Sequence, residues 1–306
     1  VRIAVTGTSG LIGGAVAARV GVNHTIVTLG RREGLDIHVD FSDPASVQGI
    51  DLSGCDALVH CAGVVDEDFK DNPSAAFLHA TVSIEALIDR AVAAGVSKIA
   101  YFSTAHVYGA MEGTISDNSP TNPISNYGIA HMASELILRR AAVSHGIDAL
   151  ALRPNAVFGV PDNLDGFDRW WLIPYSFPIS AVREGVIELR SAGAARRNFV
   201  SANDLAGYVE RFLNDDTPSQ GFTAINSVGP DSSSIREFAD ACALACRETL
   251  ESNCAVVAPL AVGCEPGSDF EYITKTSSFD PKDRIQNFIE QFVTLVAKYP
   301  HLEIKS

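Results

Sequence analysis

Seven residues near the start of the chain, Gly7-Thr8-Ser9-Gly10-Leu11-Ile12-Gly13, have the types and spacing to hold a phosphate. They follow the β-branched run Arg2–Val5 and precede the alanine-rich stretch Leu11–Val20, so they sit between a strand and a helix. Gly7 permits a tight turn, Gly10 lets backbone approach a pyrophosphate, and Gly13 lets the helix pack closely on the strand. Peptide N–H groups around Ser9, Leu11 and Ile12 would then face the anion at the helix N-terminus. The spacing is one residue wider than the common dinucleotide fingerprint, but the physical roles carry over. At the end of the next strand stands Leu29-Gly30-Arg31-Arg32, with Glu33 only afterwards. An acidic residue at the strand end would grip a ribose 2′-hydroxyl, whereas two guanidiniums suit a 2′-phosphate. NADP is therefore the favoured cofactor and NAD the alternative; the plainer reading of Arg31 and Arg32 is a solvated surface pair.

A chain of elements must hold this turn in place. Strands are expected at Arg2–Val5, His24–Leu29, Ala57–Cys61, Ile99–Ser103 and Ala149–Arg153. Helices are expected at Leu11–Val20, Pro73–Ala94 and Tyr127–Ala142; in the second of these Phe77, Ala80, Ile84, Leu87, Ile88 and Ala91 share a side. Strands alternating with helices predict an α/β fold, a Rossmann-type doubly wound parallel sheet. After Pro154 the alternation gives way to prolines, glycines and Trp170-Trp171, the texture of a smaller, loop-rich α/β substrate lobe. The expected domains are 1–155 for the dinucleotide and 156–306 for the substrate, with elements returning to the first across a soft boundary.

The 306 residues carry a formal charge of −14, which argues against nucleic acid or an anionic membrane as partner. No run reaches the length of a membrane span, and the first residues do not read as a signal peptide. The six cysteines Cys55, Cys61, Cys242, Cys246, Cys254 and Cys264 contain no Cys-x-x-Cys pair and no metal-ligand spacing. Cys242 and Cys246 read as core. No metal is expected, and the expected compartment is a reducing cytoplasm.

Further segments carry a resemblance. Asp40-Phe41 follows the second strand, and Cys55-Asp56-Ala57-Leu58-Val59-His60-Cys61-Ala62-Gly63 contains the next. Ser103-Thr104-Ala105-His106-Val107-Tyr108-Gly109 and Tyr127-Gly128-Ile129-Ala130-His131 come after. Then stand Leu152-Arg153-Pro154, Val157-Phe158-Gly159, Arg197-Asn198-Phe199-Val200 and Asp204-Leu205-Ala206. Over nearly its whole length the chain resembles the extended short-chain dehydrogenases/reductases, the NAD(P)-dependent nucleotide-sugar epimerases, dehydratases and reductases. The resemblance implies that Asp40 and Phe41 meet adenine and that Cys61, Ala62 and Gly63 lie beside the cofactor. It implies that Tyr127 exchanges a proton with substrate while a nicotinamide exchanges a hydride, and that Thr104 hydrogen-bonds the reacting oxygen. A phenol of pKa about 10 is a poor base at neutral pH unless a neighbour stabilises its anion.

Two departures matter. The family places a lysine four residues after the tyrosine, to hold the nicotinamide ribose and lower the tyrosine pKa; here His131 stands. With an ordinary pKa near 6.5 a histidine is mostly neutral at pH 7. His131 replaces the lysine as ribose anchor, or activity is low, or the protein binds cofactor without turnover. Dehydratases place an acidic residue after the threonine, whereas Ala105-His106 follows here, which disfavours dehydration. On the substrate side Arg197 is expected on a nucleotide diphosphate. Asn155 stands beside Ala156, where an asparagine is usual, and either compensates or caps a loop. His106 is either a second acid–base group or structural. Trp170, Trp171, Tyr175 and Phe177 either stack on the ligand or pack the lobe. The function expected is epimerisation or ketone reduction of a nucleotide sugar. The alternatives are a cofactor-binding protein and a reductase of a non-nucleotide ketone or aldehyde. The helices at 73–94 and 125–145 are expected to form a homodimer interface.

Overall fold

In the computed structural model, β1 (Arg2–Thr6) forms at the centre of a seven-stranded sheet because Ile3, Ala4 and Val5 are apolar in succession and both faces are covered. The structure describes all residues except 216, 218–220, 261–265, 303 and 305–306. Cys264 lies outside the described residues.

From β1 the chain runs through α1 (Leu11–Val20), β2 (Thr25–Gly30), β3 (Ile37–His38), α2 (Pro44–Gln48) and β4 (Ala57–His60). Next come α3 (Asp66–Asp71), α4 (Pro73–Leu78), a π-helical turn (His79–Ser83) and α5 (Ile84–Ala93). Then follow β5 (Lys98–Phe102), a 3₁₀ turn (Ala105–Tyr108), β6 (Thr114–Ile115), α6 (Asn126–His145) and β7 (Asp148–Pro154). The rest comprises β8 (Ala156–Phe158), α7 (Ile173–Arg183), β9 (Val186–Glu188), β10 (Arg196–Ser201), α8 (Ala202–Leu213) and β11 (Phe222–Ser227). It ends with β12 (Asp231–Ser234), α9 (Ile235–Leu250), β13 (Ala255–Val257), β14 (Glu271–Tyr272) and α10 (Ile285–Lys298).

The large sheet has the order β11-β7-β5-β4-β1-β2-β3, parallel throughout. Its order reverses between β1 and β4, the switch point at which such sheets bind ligands. The period of two along each strand divides the core. Ala4, Leu58, Ile99 and Ala149 face α5 and α6, while Ile3, Val59, Ala100 and Leu150 face α1 and α8. The fold is thus the expected doubly wound α/β sheet. Its seventh strand, β11, comes from beyond residue 200, and with α8 it is one of the elements that return to the first layer.

The helix expected over Pro73–Ala94 is interrupted by the π turn. Ser134 Oγ on α6 donates to the Ala80 carbonyl at 2.7 Å, partnering a group inside the turn. α6 starts where Ser125 Oγ accepts from the Gly128 N–H at 3.1 Å and stops at Gly146, whose φ of 68° is left-handed.

A second core gathers α7, α9 and α10 around Trp170, Tyr175, Phe199, Phe238, Phe288 and Phe292. Trp170 and Tyr175 are buried there, and Phe177 packs on Phe238, so these three are packing residues; Trp171 is exposed. Cys242 and Cys246 are fully buried, as read from the sequence.

A buried polar network ties these layers together. Glu135 on α6 takes the Arg153 guanidinium of β7 through both oxygens, at 2.9 and 2.5 Å, and accepts from Ser103 Oγ at 2.5 Å. Arg153 also donates to the Tyr108 hydroxyl at 2.8 Å, and Tyr108 and Tyr272 both donate to Asn226 Oδ1. Glu135→Ala strands a buried guanidinium, and urea unfolding is expected to show a loss of about 3–5 kcal/mol. Glu85→Ala, which breaks the exposed pair with Arg140, is expected to cost at most about 1 kcal/mol.

Candidate active site

β1 and β4 end side by side at the switch point, and the glycine turn begins there. Gly7 has φ of 68°, and a Cβ on it would come within 2.9 Å of the Ala62 nitrogen. A Cβ on Gly13 would lie 2.1 Å from the Gly7 carbonyl oxygen, so only glycine lets α1 start this close to β1. A Cβ on Gly10 would meet only the Gly7 oxygen, at 3.4 Å, which leaves the surface above it open. Gly10 is the N-cap of α1, whose first turn carries no acidic side chain, so its free N–H groups are available to an anion. The Thr6 hydroxyl locks the opposite wall: it donates to His60 Nδ1 at 2.8 Å and accepts from the Cys61 and Ala62 N–H groups.

A cleft of about 690 Å³ runs from Ser9, Gly10 and Leu11 past Arg32 to Phe158–Asn163 and α10. Arg32 lines it, and Arg31 lies near Asp40. Burial pushes the Asp40 carboxyl up, but two hydrogen bonds from Ser42 and the charge of Arg31 hold it below the usual range. The Phe41 ring is buried, edge-on to His60 and stacked on His79, so Asp40 is the member of the pair that keeps some exposure. These features fit the pyrophosphate and adenosine of a dinucleotide: a cradle at Gly7–Gly13, an open helix end and a guanidinium at the edge.

Tyr127, Thr104, His131 and His106 meet beyond the carboxyl end of β5, on the same edge of the sheet as the glycine turn. Thr104 is buried where β5 passes into the 3₁₀ turn, and its hydroxyl accepts from the His106 N–H at 3.2 Å. Burial raises the Tyr127 pKa, against the opposing effects of Thr104 and the Arg169 charge. His131 packs edge-on to Tyr127 with ring centroids 4.5 Å apart, and against Gly63. Its Nδ1 accepts from the Tyr101 hydroxyl at 2.6 Å, and Nε2–H donates to the Val64 carbonyl at 3.3 Å, the tautomer these partners require. Burial lowers its pKa to about 4, so the ring is neutral at pH 7 and brings no positive charge to Tyr127. Both nitrogens already have protein partners, so as placed His131 has no spare donor for a ribose.

His106 stands edge-on to Tyr127 at 5.5 Å, within charge range of Arg197. Arg197, on β10, is half-buried and donates to the Arg196 carbonyl at 2.7 Å; it makes no ion pair among the described residues. Asn155 accepts from the Asn198 N–H at 3.0 Å and points its amide nitrogen at Met111 Sδ. Its side chain therefore fixes the strand that carries Arg197. Thr104, Tyr127, His131 and His106 come together directly, with Arg197 beside them and Asn155 behind it.

Residues 3–226 match the profile of the NAD dependent epimerase/dehydratase family. The chain belongs to this family. Its sequence is 32% identical over 166 residues to a UDP-glucose 4-epimerase of Azospirillum brasilense, covering 50% of this chain and 48% of that protein. It is 27% identical over 238 residues to a dTDP-glucose 4,6-dehydratase of Mycolicibacterium smegmatis, covering 71% and 70%. Against the first of these relatives the chain spans about half the relative's length. Among solved structures it superposes on a UDP-glucose 4-epimerase with TM-score 0.80 at 20% identity, over 98% and 99% of the two chains. RMD from Pseudomonas aeruginosa complexed with NADPH gives 0.76 at 19%, over 97% and 99%. At these identities the superpositions establish the fold.

Within this epimerase/dehydratase chain, several residues around the site escaped sequence reasoning. Glu135 stands four residues after His131 on α6, so helical spacing alone places the two on one face. Tyr101 lies on β5, and its contact with His131 depends on how α6 crosses the sheet. Asp66 and Glu67 of α3, and Arg169 from the segment before α7, lie within charge range of Tyr127, and no local pattern announces them. Among the described residues no group of His, Cys, Asp or Glu is arranged to hold a metal, and no helix is long and apolar enough to cross a membrane.

Proposed function

We propose that this family member is an NADP-dependent epimerase or ketoreductase acting on a nucleotide sugar. The observation that carries the reading is the close-packed glycine turn Gly7–Gly13, of a shape suited to a dinucleotide, together with Tyr127 packed edge-on to His131 and to His106, whose N–H donates to Thr104. When bound, the nicotinamide supplies the hydride donor or acceptor. Gly7–Gly13 and the first turn of α1 would hold its pyrophosphate, and Arg31 and Arg32 the 2′-phosphate. Thr104 orients the reacting oxygen, and Tyr127 takes or returns its proton. Arg197, half-buried on β10 with Asn155 holding its strand, would serve as the cation for the sugar's diphosphate. No carboxylate follows Thr104 to drive loss of water, and that favours epimerisation or reduction over dehydration.

A second reading, cofactor binding with weak or lost turnover, draws on His131, which is neutral and has both nitrogens engaged. Turnover across UDP-, GDP- and dTDP-sugars and their 4-keto forms separates the two. Tyr127→Phe and Thr104→Val are expected to lower kcat by roughly 10²–10⁴-fold with NADPH affinity unchanged. Full activity in both variants sinks the mechanism, and a silent wild type that binds NADPH tightly establishes the second reading.

The cofactor choice has its own check. Arg32→Ala is expected to weaken NADPH about tenfold or more in fluorescence titration while leaving NADH unmoved, since a charge-assisted phosphate contact is lost. Equal effects on both cofactors refute the 2′-phosphate role.

The structure also supports the homodimer. Ile129, Leu136 and Val143 repeat every seven residues along α6 and are exposed, as are Leu78 and Val82 nearby. Two copies packing α5 and α6 against their mates would cover this stripe. Sedimentation is expected to show a dimer that Leu136→Glu turns into a monomer; an unchanged mass excludes this face.

A further inference from the structure

A second, smaller pocket opens beside α6, and none of its lining residues lines the cleft at the glycine turn. Its volume is about 260 Å³, just under the ~300 Å³ at which sites for drug-sized ligands begin and well above the ~30 Å³ of a water molecule. Arg153 and Arg139 both line it. Arg153 is only 5% exposed, and three of its five N–H bonds are committed: Nε and Nη2 to Glu135, and Nη1 to the Tyr108 hydroxyl. Two N–H bonds, one on each terminal nitrogen, are left without a partner among the described residues, on a group with almost no access to water. Arg139 stands one helical turn beyond Glu135, is exposed, and makes no ion pair among the described residues; its neighbour Arg140 is the one that pairs with Glu85.

The acceptors at the pocket are already taken. Both Glu135 oxygens receive Arg153, and one also receives Ser103. Asp117 Oδ1 accepts from the Asn226 N–H at 2.5 Å, and its Oδ2 accepts from the Lys275 and Thr276 N–H groups and the Thr274 hydroxyl, at 2.6, 3.1 and 3.1 Å. The Ser119 hydroxyl accepts from the Ser116 N–H at 2.9 Å and keeps its proton to donate, and the Thr121 hydroxyl lines the pocket as well. Donors are thus in surplus, and an oxyanion, which only accepts, matches them. Glu135 balances Arg153, and three peptide N–H groups and a hydroxyl hold Asp117, which leaves Arg139 to meet a ligand's charge. One negative charge is compensated there and a second is not. Met132, Leu136 and Phe222 supply apolar lining for a hydrocarbon body.

We propose that this pocket binds a small monocarboxylate with an apolar body, its carboxylate on Arg153 and Arg139 and its body against Met132, Leu136 and Phe222. A ligand held there touches the buried Glu135–Arg153 pair, and binding to the folded chain alone stabilises it.

The test titrates hexanoate into the whole protein by calorimetry, with 1-hexanol as the control for charge and inorganic phosphate as the control for the apolar body. Hexanoate is expected to saturate a single site per chain, with 1-hexanol silent and phosphate at least about tenfold weaker. Arg139→Gln removes an exposed cation and leaves no buried charge behind, and it is expected to weaken hexanoate about tenfold. Thr121→Trp keeps both guanidiniums but puts an indole into the pocket, and it is expected to abolish binding. Leu136 is left unaltered because it also belongs to the exposed stripe of α6, and far-UV circular dichroism checks the fold of each variant. Wild type without a saturable hexanoate site overturns the proposal, as does binding that neither variant changes. Binding that Arg32→Ala abolishes and Arg139→Gln leaves intact places the anion at the glycine turn, and the proposal falls. Phosphate held as tightly as hexanoate refutes the apolar body, and 1-hexanol held as tightly refutes the role of the guanidiniums.

Discussion

A carboxylate with almost no access to water has to be paired, and the pairing of Glu135 with Arg153 organises much of this molecule. Glu135 is on the helix that carries Tyr127 and His131, and Arg153 is on the strand beside β5. The same carboxylate takes the hydroxyl of Ser103, the residue before Thr104, so the two ends of the Thr104–Tyr127 pair are referenced to one buried charge. Through Tyr108, Asn226 and Tyr272 the network reaches β11 and β14, which lie far along the chain. A shift of α6 along the sheet would leave several desolvated groups without partners at once, which gives the site a fixed geometry rather than a soft one.

His131 shows what such a wall demands of a side chain. A lysine at this position would bring an ammonium to a place enclosed by Tyr101, Val64 and Gly63, whereas the imidazole fits there neutral and satisfied on both nitrogens. The gain is a well-packed, rigid edge for the cleft; what is given up is a positive charge one helical turn from Tyr127. Neighbouring His60 and His79 are also held below the usual histidine range by burial. Positive charge stands elsewhere: Arg32 lines the cleft beside the glycine turn, and Arg197 lies on β10 within charge range of His106.

Strand and helix positions on the first half of the chain follow from local patterning, because a strand buried on both faces must be continuously apolar and an amphipathic helix must repeat every three to four residues. Leu11–Val20 and Ala149–Arg153 illustrate this, and so does the glycine turn, where Gly7 has a left-handed φ and Gly13 a close approach that exclude a side chain. The π turn at His79–Ser83 was not legible, since the carbonyl partner inside it comes from Ser134 on another helix. Nor was the packing role of Trp170 and Tyr175, because an aromatic side chain reads the same in sequence whether it lines a ligand or fills a core.

What the sequence by itself determined was the α/β class, the strand–turn–helix at Gly7–Gly13 and, through resemblance, the family. Those are properties of local spacing and residue type. Only the tertiary structure decided that His131 is neutral with both ring nitrogens engaged and that Asn155 serves the strand of Arg197. Protonation and charge near a catalytic group depend on burial and on neighbours distant along the chain, and no pattern within a segment specifies either.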